Sequence, residues 1–570
     1  MGAGTEHVDA VVVGSGFGGS VTAYRLAKEG IGVVLLERGK PYPPGSFART
    51  PRQLRANFWD PSEGMQGLFD IWSFKGIDAV VSSGLGGGSL IYANVFIRKD
   101  ERWFDSVMPD GTHVPWPVTR AQLDPHYDNV HAVIRPTPYP FDKAPYDRTP
   151  KTGAYRDAAA AAGLDWFLPD LAITFGADPA RPVPGEQIPE AIPNVHGMPR
   201  STCRLLGECD VGCNEGAKNS LDYTYLSLAA HHGADLRTRH EVRSFAPREG
   251  GGWSVRYVVH TDEHEGDGTF DTTTLPVREL QCERLILSAG ALGTPYLLLR
   301  NAQALGALPP ALGTRFSGNG DLLSFVTNAR RADGSPWPLE APIGPAITST
   351  IRVPDENDPD GDGPGYYIQE GGYPVWASWL QEGLDLPGEL RRVAHFLLRR
   401  VWSQIRHSPQ SEIGSQIADV LDDADAAATL LPMLGMGRDT PDGRFSLDDG
   451  LLALDWTERT SEAYLARVRA AMAAINDALG GELVQNPLSH LHRLITVHPL
   501  GGAPMGASPQ EGVVDAHGRV FGQRGLHVAD GSVMPGPVGP NPSFTIAALA
   551  DRFADAIVAE HEGRAVEATA

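Results

Sequence analysis

The sequence has little cysteine, fewer basic than acidic residues and no long apolar run, and each shortage excludes a class of protein. Four cysteines in 570 residues are too few for a disulfide-built scaffold. Lys and Arg number 48 against 70 Asp and Glu, and the net charge of −22 would repel a nucleic acid. Apolar runs fall far short of the roughly 20 residues that cross a bilayer. We therefore expect neither a nucleic-acid-binding protein nor a transmembrane one.

The N-terminus and the overall composition point to a globular chain. Residues 1–7 lack both the basic and the apolar stretch of a signal peptide. As written, the sequence predicts a soluble, cytoplasmic protein, or a secreted one if a leader has been removed. Glycine and proline are abundant, at 65 and 46 residues, without any repeat. Together with 42% hydrophobic residues, they predict many tight loops between buried elements.

The N-terminal segment has the pattern of a βαβ unit. Val8–Val13 is apolar and β-branched, Gly14-x-Gly16-x-x-Gly19 follows, and after a helical stretch a second strand ends at Glu37. In such a unit the glycines allow a tight turn, close approach of a pyrophosphate and close helix packing, while the carboxylate takes two ribose hydroxyls. The pattern predicts dinucleotide binding, in preference to a glycine-rich turn without function, but does not separate NAD from FAD.

Elements of the same type stand at both ends of the chain. Buried-strand patterns recur at 284–289 and 525–529, with helical patterns after each. The middle is therefore predicted to be a second lobe inserted into the first. The expected fold class is α/β with an α+β second lobe: a Rossmann-type dinucleotide-binding domain interleaved with a substrate-binding domain built on a β-sheet with helices. The expected boundaries assign 1–130, 195–325 and 505–570 to the nucleotide-binding domain, and 131–194 and 326–504 to the substrate-binding domain.

A second glycine cluster occupies residues 84–89 and is followed by Tyr92 and Asn94. The sequence here is compatible with a flexible hairpin, or with a loop whose bare backbone passes close to a flat ligand. Two loops of this kind are more than a nicotinamide domain usually needs. They favour a larger, permanently bound flavin.

The C-terminal quarter holds a candidate catalytic pair. His498-Pro499-Leu500-Gly501-Gly502 is followed by Asp530-Gly531 and by Asn541-Pro542-Ser543, which opens the last predicted helix. A lone histidine is usually structural, and Asn-Pro before a helix is usually a cap. Together they predict one group that accepts a proton and one that donates a hydrogen bond. Neutral imidazole, with an ordinary pKa of about 6.5, is suited to the first task near pH 7.

In this order, and with Ser288-Ala-Gly-Ala-Leu-Gly-Thr-Pro295 between them, the motifs resemble those of the glucose–methanol–choline (GMC) oxidoreductases. The His-Pro-Leu-Gly-Gly and Asn-Pro motifs most resemble those of bacterial cholesterol oxidases. The resemblance implies that His498 is the catalytic histidine and that Asn541 faces the substrate oxygen. It also implies that FAD is bound by Gly14, Gly16, Phe17, Gly18, Gly19, Glu37, Gly86, Gly87, Ser89, Tyr92, Asn94, Val242, Ala289, Gly290, Asp530, Gly531, Asn541, Pro542 and Ser543.

Three details qualify what the resemblance implies. Tyr92 stands where the family usually has asparagine. Cholesterol oxidases move a steroid ring proton with a glutamate, and either Gln369 or Glu370 aligns with it; Glu370 is the candidate catalytic residue, but neighbours on a strand face opposite sides. Oxidation is thus the firmer expectation than isomerisation. The absence of histidine from residues 84–94 predicts that FAD is bound non-covalently.

The expected reaction is FAD-dependent oxidation of a secondary alcohol on a large apolar substrate, such as a 3β-hydroxysteroid, to the ketone, with dioxygen reduced to hydrogen peroxide. Three alternatives stay open: a dehydrogenase with another electron acceptor, an enzyme for a long-chain, aromatic or sugar alcohol, and a non-catalytic dinucleotide-binding protein. The sequence does not determine the oligomeric state.

Other patterns receive structural interpretations. Residues 391–402 form a basic amphipathic pattern, expected to pack on the second lobe or, alternatively, to touch a membrane and extract a sterol. Neither the spacing of Cys203, Cys209 and Cys213 nor that of His490 and His492 predicts a metal site. The three cysteines are expected in a structural loop beside the flavin.

Overall fold

The computed structural model describes residues 6–50, 53–54, 56–108, 110–266, 269–374, 429–486 and 493–564. The amphipathic pattern at 391–402 and the pair His490 and His492 lie outside the described residues. Within them, no helix is long and apolar enough to cross a membrane.

The strands, in chain order, are β1 Glu6–Val13, β2 Val33–Leu36, β3 Trp59–Asp60, β4 Met65–Gln66, β5 Phe69–Ser73, β6 Ile77–Ser82, β7 Val95–Phe96, β8 Asp105–Val107, β9 His113–Pro115, β10 Thr137–Pro138, β11 Asp165–Phe167, β12 Asp170–Leu171, β13 Asp235–Arg237, β14 His240–Pro247, β15 Trp253–Val259, β16 Arg278–Leu287, β17 Leu322–Thr327, β18 Thr350–Val353, β19 Tyr366–Glu370, β20 Leu431–Gly437, β21 Arg444–Asp448, β22 Leu451–Asp455, β23 Glu482–Gln485, β24 Leu494–Thr496 and β25 Leu526–Val528. The α-helices are α1 Phe17–Lys28, α2 Arg120–Ile134, α3 Pro150–Ala161, α4 Tyr225–His231, α5 Gly290–Arg300, α6 Ala302–Leu305, α7 Glu462–Ala478 and α8 Ser543–His561.

The first large sheet has the order β13-β2-β1-β16-β15-β14, and β25 also pairs with β16. Strands β13, β2, β1, β16 and β25 run parallel. In register, Val13 stands beside both Leu36 and Leu287, and Leu287 beside Val528, so these strands end at one level. Residues 10–13 are buried because helices cover the sheet; α1 packs on α8, and α8 on α2. The α/β fold with a parallel nucleotide-binding sheet is confirmed.

The second large sheet is antiparallel along the order β11-β18-β19-β20-β17-β23. Leu323 of β17 and Gln369 of β19 both stand beside Leu434 of β20, so the three share one face. Helices α3 and α7 pack together beside this sheet, and the Tyr155 hydroxyl of α3 donates to the Ile368 carbonyl at 2.9 Å. One face of the sheet is left to wall a cavity.

A smaller sheet, β24-β6-β5, joins the two lobes. Strand β6 leads into the glycine cluster at residues 84–89, and its parallel neighbour β24 leads into His498. Two of the predicted domain boundaries fall inside elements. Residue 325 lies within β17, which belongs to the second sheet, and residue 130 lies within α2, which packs on α8. Because a strand or helix packs as a unit, we propose that each of these boundaries lies at one end of its element.

Candidate active site

A cavity of about 610 Å³ lies between the carboxyl edge of the parallel sheet and the free face of the second sheet. This edge is where open α/β sheets bind their ligands. His498 lines the cavity, and most of the predicted cofactor residues do as well: Gly14, Gly16, Phe17, Gly18, Glu37, Gly87, Tyr92, Asn94, Val242, Ala289, Gly290, Asp530, Gly531, Asn541, Pro542 and Ser543. Gly19, Gly86, Ser89 and Glu370 do not.

The first glycine loop divides into glycines that pack against the protein and one that faces empty space. A Cβ on Gly18 would lie 1.4 Å from the Ala529 carbonyl oxygen, and one on Gly19 would lie 2.0 Å from the Gly14 oxygen. A Cβ on Gly16 would meet no heavy atom within 4 Å, although Gly16 lines the cavity. Gly16 therefore leaves room for a ligand at the start of α1, as a pyrophosphate requires.

Glu37 is fixed at the cavity edge by the first glycine loop. One carboxylate oxygen accepts from the Ser15 backbone N–H at 3.0 Å and from the Ser15 hydroxyl at 2.7 Å, and the other accepts from the Gly39 N–H at 2.8 Å. These bonds orient the carboxylate and leave lone pairs for ribose hydroxyls. The donor set fits the ADP half of FAD.

The second glycine loop lies directly against the first. A Cβ on Gly87 would lie 2.7 Å from the Gly16 Cα, whereas one on Gly88 would meet nothing within 4 Å. Gly86 and Ser89 shape the loop from behind: the Gly86 N–H donates to the Ser15 hydroxyl at 2.9 Å, and the Ser89 hydroxyl donates to the Gly86 carbonyl at 2.7 Å. The two loops therefore form one continuous backbone surface that faces the cavity.

Polar atoms without partners surround the far end of the cavity. Among the described residues, Asn94 Oδ1 and Nδ2, the Tyr92 hydroxyl and the Ser543 hydroxyl are buried and make no hydrogen bond. Burial raises the pKa of Tyr92 well above its ordinary value, so its hydroxyl stays protonated. Helix α8 begins at Ser543, and its N-terminus favours negative charge. These groups suit the polar rim of a flavin ring.

Asp530 braces this end of the site. Its carboxylate accepts from the Gly290 N–H at 2.9 Å, the Thr294 hydroxyl at 2.5 Å, and the backbone N–H and hydroxyl of Ser532 at 2.8 and 2.5 Å. Burial is the largest influence on the Asp530 pKa and raises it, while the hydrogen bonds oppose the rise. The carboxylate ties the start of α5 to the segment after β25.

His498 is held by a carboxylate that the sequence did not reveal. Its Nδ1 lies 2.8 Å from Asp321 Oδ1, and the other Asp321 oxygen accepts from the Thr496 hydroxyl at 3.0 Å and the Val497 N–H at 2.9 Å. The Asp321 side chain is 1% exposed. With the Nδ1 proton donated to Asp321, the lone pair of Nε2 is free to accept a proton. No local pattern marks Asp321, because the two residues stand 177 positions apart.

Asn541 forms a reciprocal amide pair with Gln369. Gln369 Nε2 donates to Asn541 Oδ1 at 2.8 Å, and Asn541 Nδ2 donates to Gln369 Oε1 at 3.2 Å. Both side chains are buried. Among the described residues the second N–H of Asn541 has no partner, so it can donate to a ligand in the cavity.

Glu370 lies on the opposite face of β19 from Gln369, which corrects the catalytic role expected for it. Its Oε1 accepts from the Thr348 and Ser349 N–H groups at 2.9 and 3.0 Å, and its Oε2 pairs with Lys151 Nζ at 3.1 Å. Both partners of the ion pair are fully buried, with side chains 0% exposed. Glu370 therefore fixes the chain behind the cavity wall and does not reach the cavity.

The cysteine-bearing segment adjoins the second glycine loop. Cys203, Cys209 and Cys213 carry free thiols, and buried Lys218 donates to the Cys209 carbonyl at 2.7 Å and to the Tyr92 carbonyl at 2.8 Å. Lys218 thus links this segment to the cavity wall.

Among the described residues, His126, Asp551 and Asp555 are the one group that brings metal-type ligands together. Asp551 accepts from His126 Nδ1 at 2.8 Å, and Arg25 forms ion pairs with both carboxylates. The guanidinium therefore already supplies the positive charge that a metal ion would bring.

Comparisons with known proteins agree with this geometry. Family models described as "GMC oxidoreductase" match residues 195–316 and 440–550, and one described as "FAD dependent oxidoreductase" matches residues 9–103. A cholesterol oxidase from Mycobacterium tuberculosis is 30% identical over 96% of this chain and 90% of its own, and paromamine 6'-oxidase from Streptomyces fradiae is 26% identical over 97% and 91%.

A solved structure shares the fold. Pyridoxine 4-oxidase from Mesorbium loti superposes with a TM-score of 0.55, at 18% identity, over 98% of this chain and all of its own. The family models and the 30% identity over nearly the whole chain together establish the family. The chain belongs to the GMC oxidoreductases, FAD-dependent enzymes that act on CH–OH donors.

Proposed function

We propose that this enzyme oxidises the secondary hydroxyl of a large apolar alcohol, a 3β-hydroxysteroid such as cholesterol, to the ketone, with dioxygen reduced to hydrogen peroxide. The observation that carries the proposal is the wall of the cavity beside His498 and Asn541. On the second-lobe side of that wall, the Asp321 carboxylate is already bound to His498, and the larger side chains are apolar: Leu323, Ile347, Pro432, Leu434 and Val497. Such a wall favours an apolar ring system over a hydrated substrate.

His498 would take the hydroxyl proton at Nε2, because its Nδ1 is committed to Asp321. The buried Asp321 carboxylate would stabilise the imidazolium that forms. Asn541 would donate its remaining N–H to the substrate oxygen, held in direction by Gln369. FAD, when bound, supplies the acceptor for the hydrogen and electron pair that leave carbon.

We further propose that oxidation proceeds without steroid isomerisation. The residue of β19 that meets Asn541 is Gln369, an amide without a titratable proton, and Glu370 is engaged by Lys151 on the other face. Movement of a ring proton would need an ionisable group at this place. The expected product is the unisomerised ketone.

We also propose that FAD is bound non-covalently by the residues named above. The second glycine loop and the segment after it, residues 84–94, contain no histidine or cysteine that would form a flavin bond. Acid precipitation should therefore release the flavin into the supernatant. Flavin that stays with the pellet would contradict this part of the proposal.

One observation favours a second candidate, an alcohol that carries positive charge or several hydroxyls. Asp210 is exposed and lines the same cavity. A carboxylate that faces the cavity would pair with a cationic or hydroxyl-rich substrate. The two relatives described above are named for different substrates, so their names do not decide between the candidates.

An anaerobic reduction experiment separates them. The purified enzyme is mixed with cholesterol in detergent, 1-octanol, benzyl alcohol, glucose or an amino sugar, and flavin bleaching is followed before air is admitted. Fast bleaching by cholesterol with formation of the unisomerised ketone, followed by peroxide on reoxidation, is the expected result. Preference for the amino sugar, abolished by Asp210→Asn, would establish the second candidate. Bleaching without reoxidation by air would identify a dehydrogenase.

A further inference from the structure

A single loop, residues 317–321, contacts both halves of the catalytic pair. It leads into β17 and contains Asn319 and Asp321, two positions apart. Asp321 bonds the His498 ring at 2.8 Å and the backbone just before it, through the Val497 N–H at 2.9 Å. The loop therefore fixes both the ring and the chain that carries it.

Asn319 binds the segment that carries Asn541. Its Oδ1 accepts from the Val538 and Gly539 N–H groups, both at 2.9 Å, and its Nδ2 donates to the Gly539 and Pro540 carbonyls, both at 3.2 Å. Residues 538–540 lie in no helix or strand, so the Asn319 side chain supplies hydrogen bonds that a neighbouring backbone segment would otherwise provide. Asn319 is fully buried and has a φ of 54°, a conformation that asparagine tolerates better than most residues.

The loop 317–321 is itself held in place by hydrogen bonds, among them bonds to Asp439. The Ser317 hydroxyl donates to Asp439 Oδ1 at 2.5 Å, the Gly318 N–H donates to Asp439 Oδ2 at 3.1 Å, and the Asn319 N–H donates to the Ser317 hydroxyl at 2.9 Å. Asp439 is buried. A second contact is independent of these, since the Tyr464 hydroxyl donates to the Gly320 carbonyl at 2.9 Å.

We propose that Asn319 is a positioning residue for the oxidation, and that the loop 317–321 sets the separation between His498 and Asn541. Because Asp321 and Asn319 are two residues apart in one anchored loop, the base and the hydrogen-bond donor share one support. The inference rests on the roles proposed above for His498 and Asn541. Misplacing a catalytic group by about 1 Å can cost on the order of a hundredfold in rate.

The test is a double-mutant cycle between Asn319→Gly and Asn541→Ala, read by anaerobic flavin reduction with the fastest alcohol of the panel above. Glycine accepts the positive φ, so the variant loses the side-chain bonds without backbone strain. The expected loss is roughly 10- to 100-fold for Asn319→Gly alone, and less than about twofold when Asn541→Ala is already present. Asn319→Asp keeps the acceptor bonds and should lose less.

Tyr146→Phe is the matched control, because it also removes one buried tyrosine hydroxyl bond, to the Phe175 carbonyl at 2.9 Å, and this bond lies outside the loop 317–321 and outside both catalytic segments. It should leave the reduction rate within about twofold of wild type. Equal, additive losses in both backgrounds would assign Asn319 a merely structural role. If Asn541→Ala alone left the rate unchanged, the donor assignment of the proposed function would fail instead.

Amide hydrogen exchange provides a readout that needs no substrate. In Asn319→Gly and Asn319→Asp, peptides that cover 537–541 should show faster exchange in the first variant and nearly wild-type exchange in the second, since aspartate still accepts from Val538 and Gly539. The control Tyr146→Phe should leave these peptides unchanged. Unaltered exchange in Asn319→Gly would overturn the inference.

Discussion

Replacement of Gly16 by alanine should leave the fold intact and weaken FAD binding. Gly16 has φ −67° and ψ −170°, which alanine adopts without strain, and a Cβ there meets no protein atom within 4 Å. The apoprotein should therefore be as stable as wild type, or more stable by roughly 0.4–1 kcal/mol through the unfolded state. The new methyl group would instead occupy the space assigned to the pyrophosphate.

The expected loss of affinity follows from the cost of overpacking. An extra methyl group in a close contact costs about 1–3 kcal/mol. At about 1.4 kcal/mol per tenfold change, the FAD dissociation constant should rise about 5- to 150-fold. The assay is titration of deflavinated protein with FAD, followed by quenching of flavin fluorescence, together with thermal unfolding of the apoprotein.

Two other glycines serve as controls. A Cβ on Gly153, in α3, meets only the Phe141 ring at 3.7 Å, so Gly153→Ala should leave FAD affinity unchanged and raise stability by roughly 0.5–1 kcal/mol, as alanine does inside a helix. A Cβ on Gly18 would lie 1.4 Å from a backbone oxygen, so Gly18→Ala should impair folding itself. A Gly16→Ala protein with wild-type FAD affinity would refute the placement of the pyrophosphate, and an unstable apoprotein would refute the geometry of the loop.

Three further predictions concern the histidine His498 and two buried carboxylates, Glu370 and Asp439. His498→Gln should lower the rate of anaerobic flavin reduction by roughly a hundred- to ten-thousand-fold, the usual span for a general base, and a near-normal rate would reject the assignment. Glu370→Gln should lose about 3–5 kcal/mol of stability, measured by denaturant unfolding, because buried Lys151 loses its carboxylate partner. The oxidation rate of this variant should stay unchanged. A large loss of rate at unchanged stability would instead show that Glu370 acts in catalysis. Burial raises the pKa of Asp439 to about 7, so the folded protein holds a proton that the unfolded chain releases near its ordinary value of 3.8. This group's contribution to stability should fall as pH rises from about 4 to 7, by at most about 1.4 kcal/mol per pH unit, and Asp439→Asn should remove that slope from unfolding midpoints measured across the window.

The sequence identified the parts of the site that depend on local backbone conformation. Gly14 has a φ of 98°, and Gly19 packs on the Gly14 oxygen within one strand–turn–helix unit, so the spacing of these two is enough to predict them. Gly18 instead packs on Ala529 of a distant segment, a contact that local sequence does not show. Strand β16 was predicted only in its apolar C-terminal half. Its first half, from Arg278 to Glu283, carries charged side chains and is partly exposed, which hides the pairing with β15.

Contacts between distant segments were beyond sequence reasoning. Side chains alternate along β19, so only one of Gln369 and Glu370 can face the cavity. Which of the two does so depends on how β19 pairs with β18 and β20. Asp321 and Asn319 carry no local signal at all. Their roles arise because one loop contacts two segments that lie 177 and 219 residues further along the chain.

The division of the site between the two lobes explains why its motifs predict the chemistry better than the substrate. The proposed binding surface for FAD is made largely of backbone, from loops that follow parallel strands. Only a few spacings of glycine allow such loops to approach the cofactor closely. The wall that would contact the alcohol comes from Leu323, Leu434 and their neighbours on an antiparallel sheet. Any apolar or polar residue of suitable volume fits such a face, so these side chains can change while the pair His498 and Asn541 keeps its support. We therefore expect the second sheet to determine which alcohol is accepted, and substitutions at Leu323 and Leu434 should alter substrate preference without altering flavin binding.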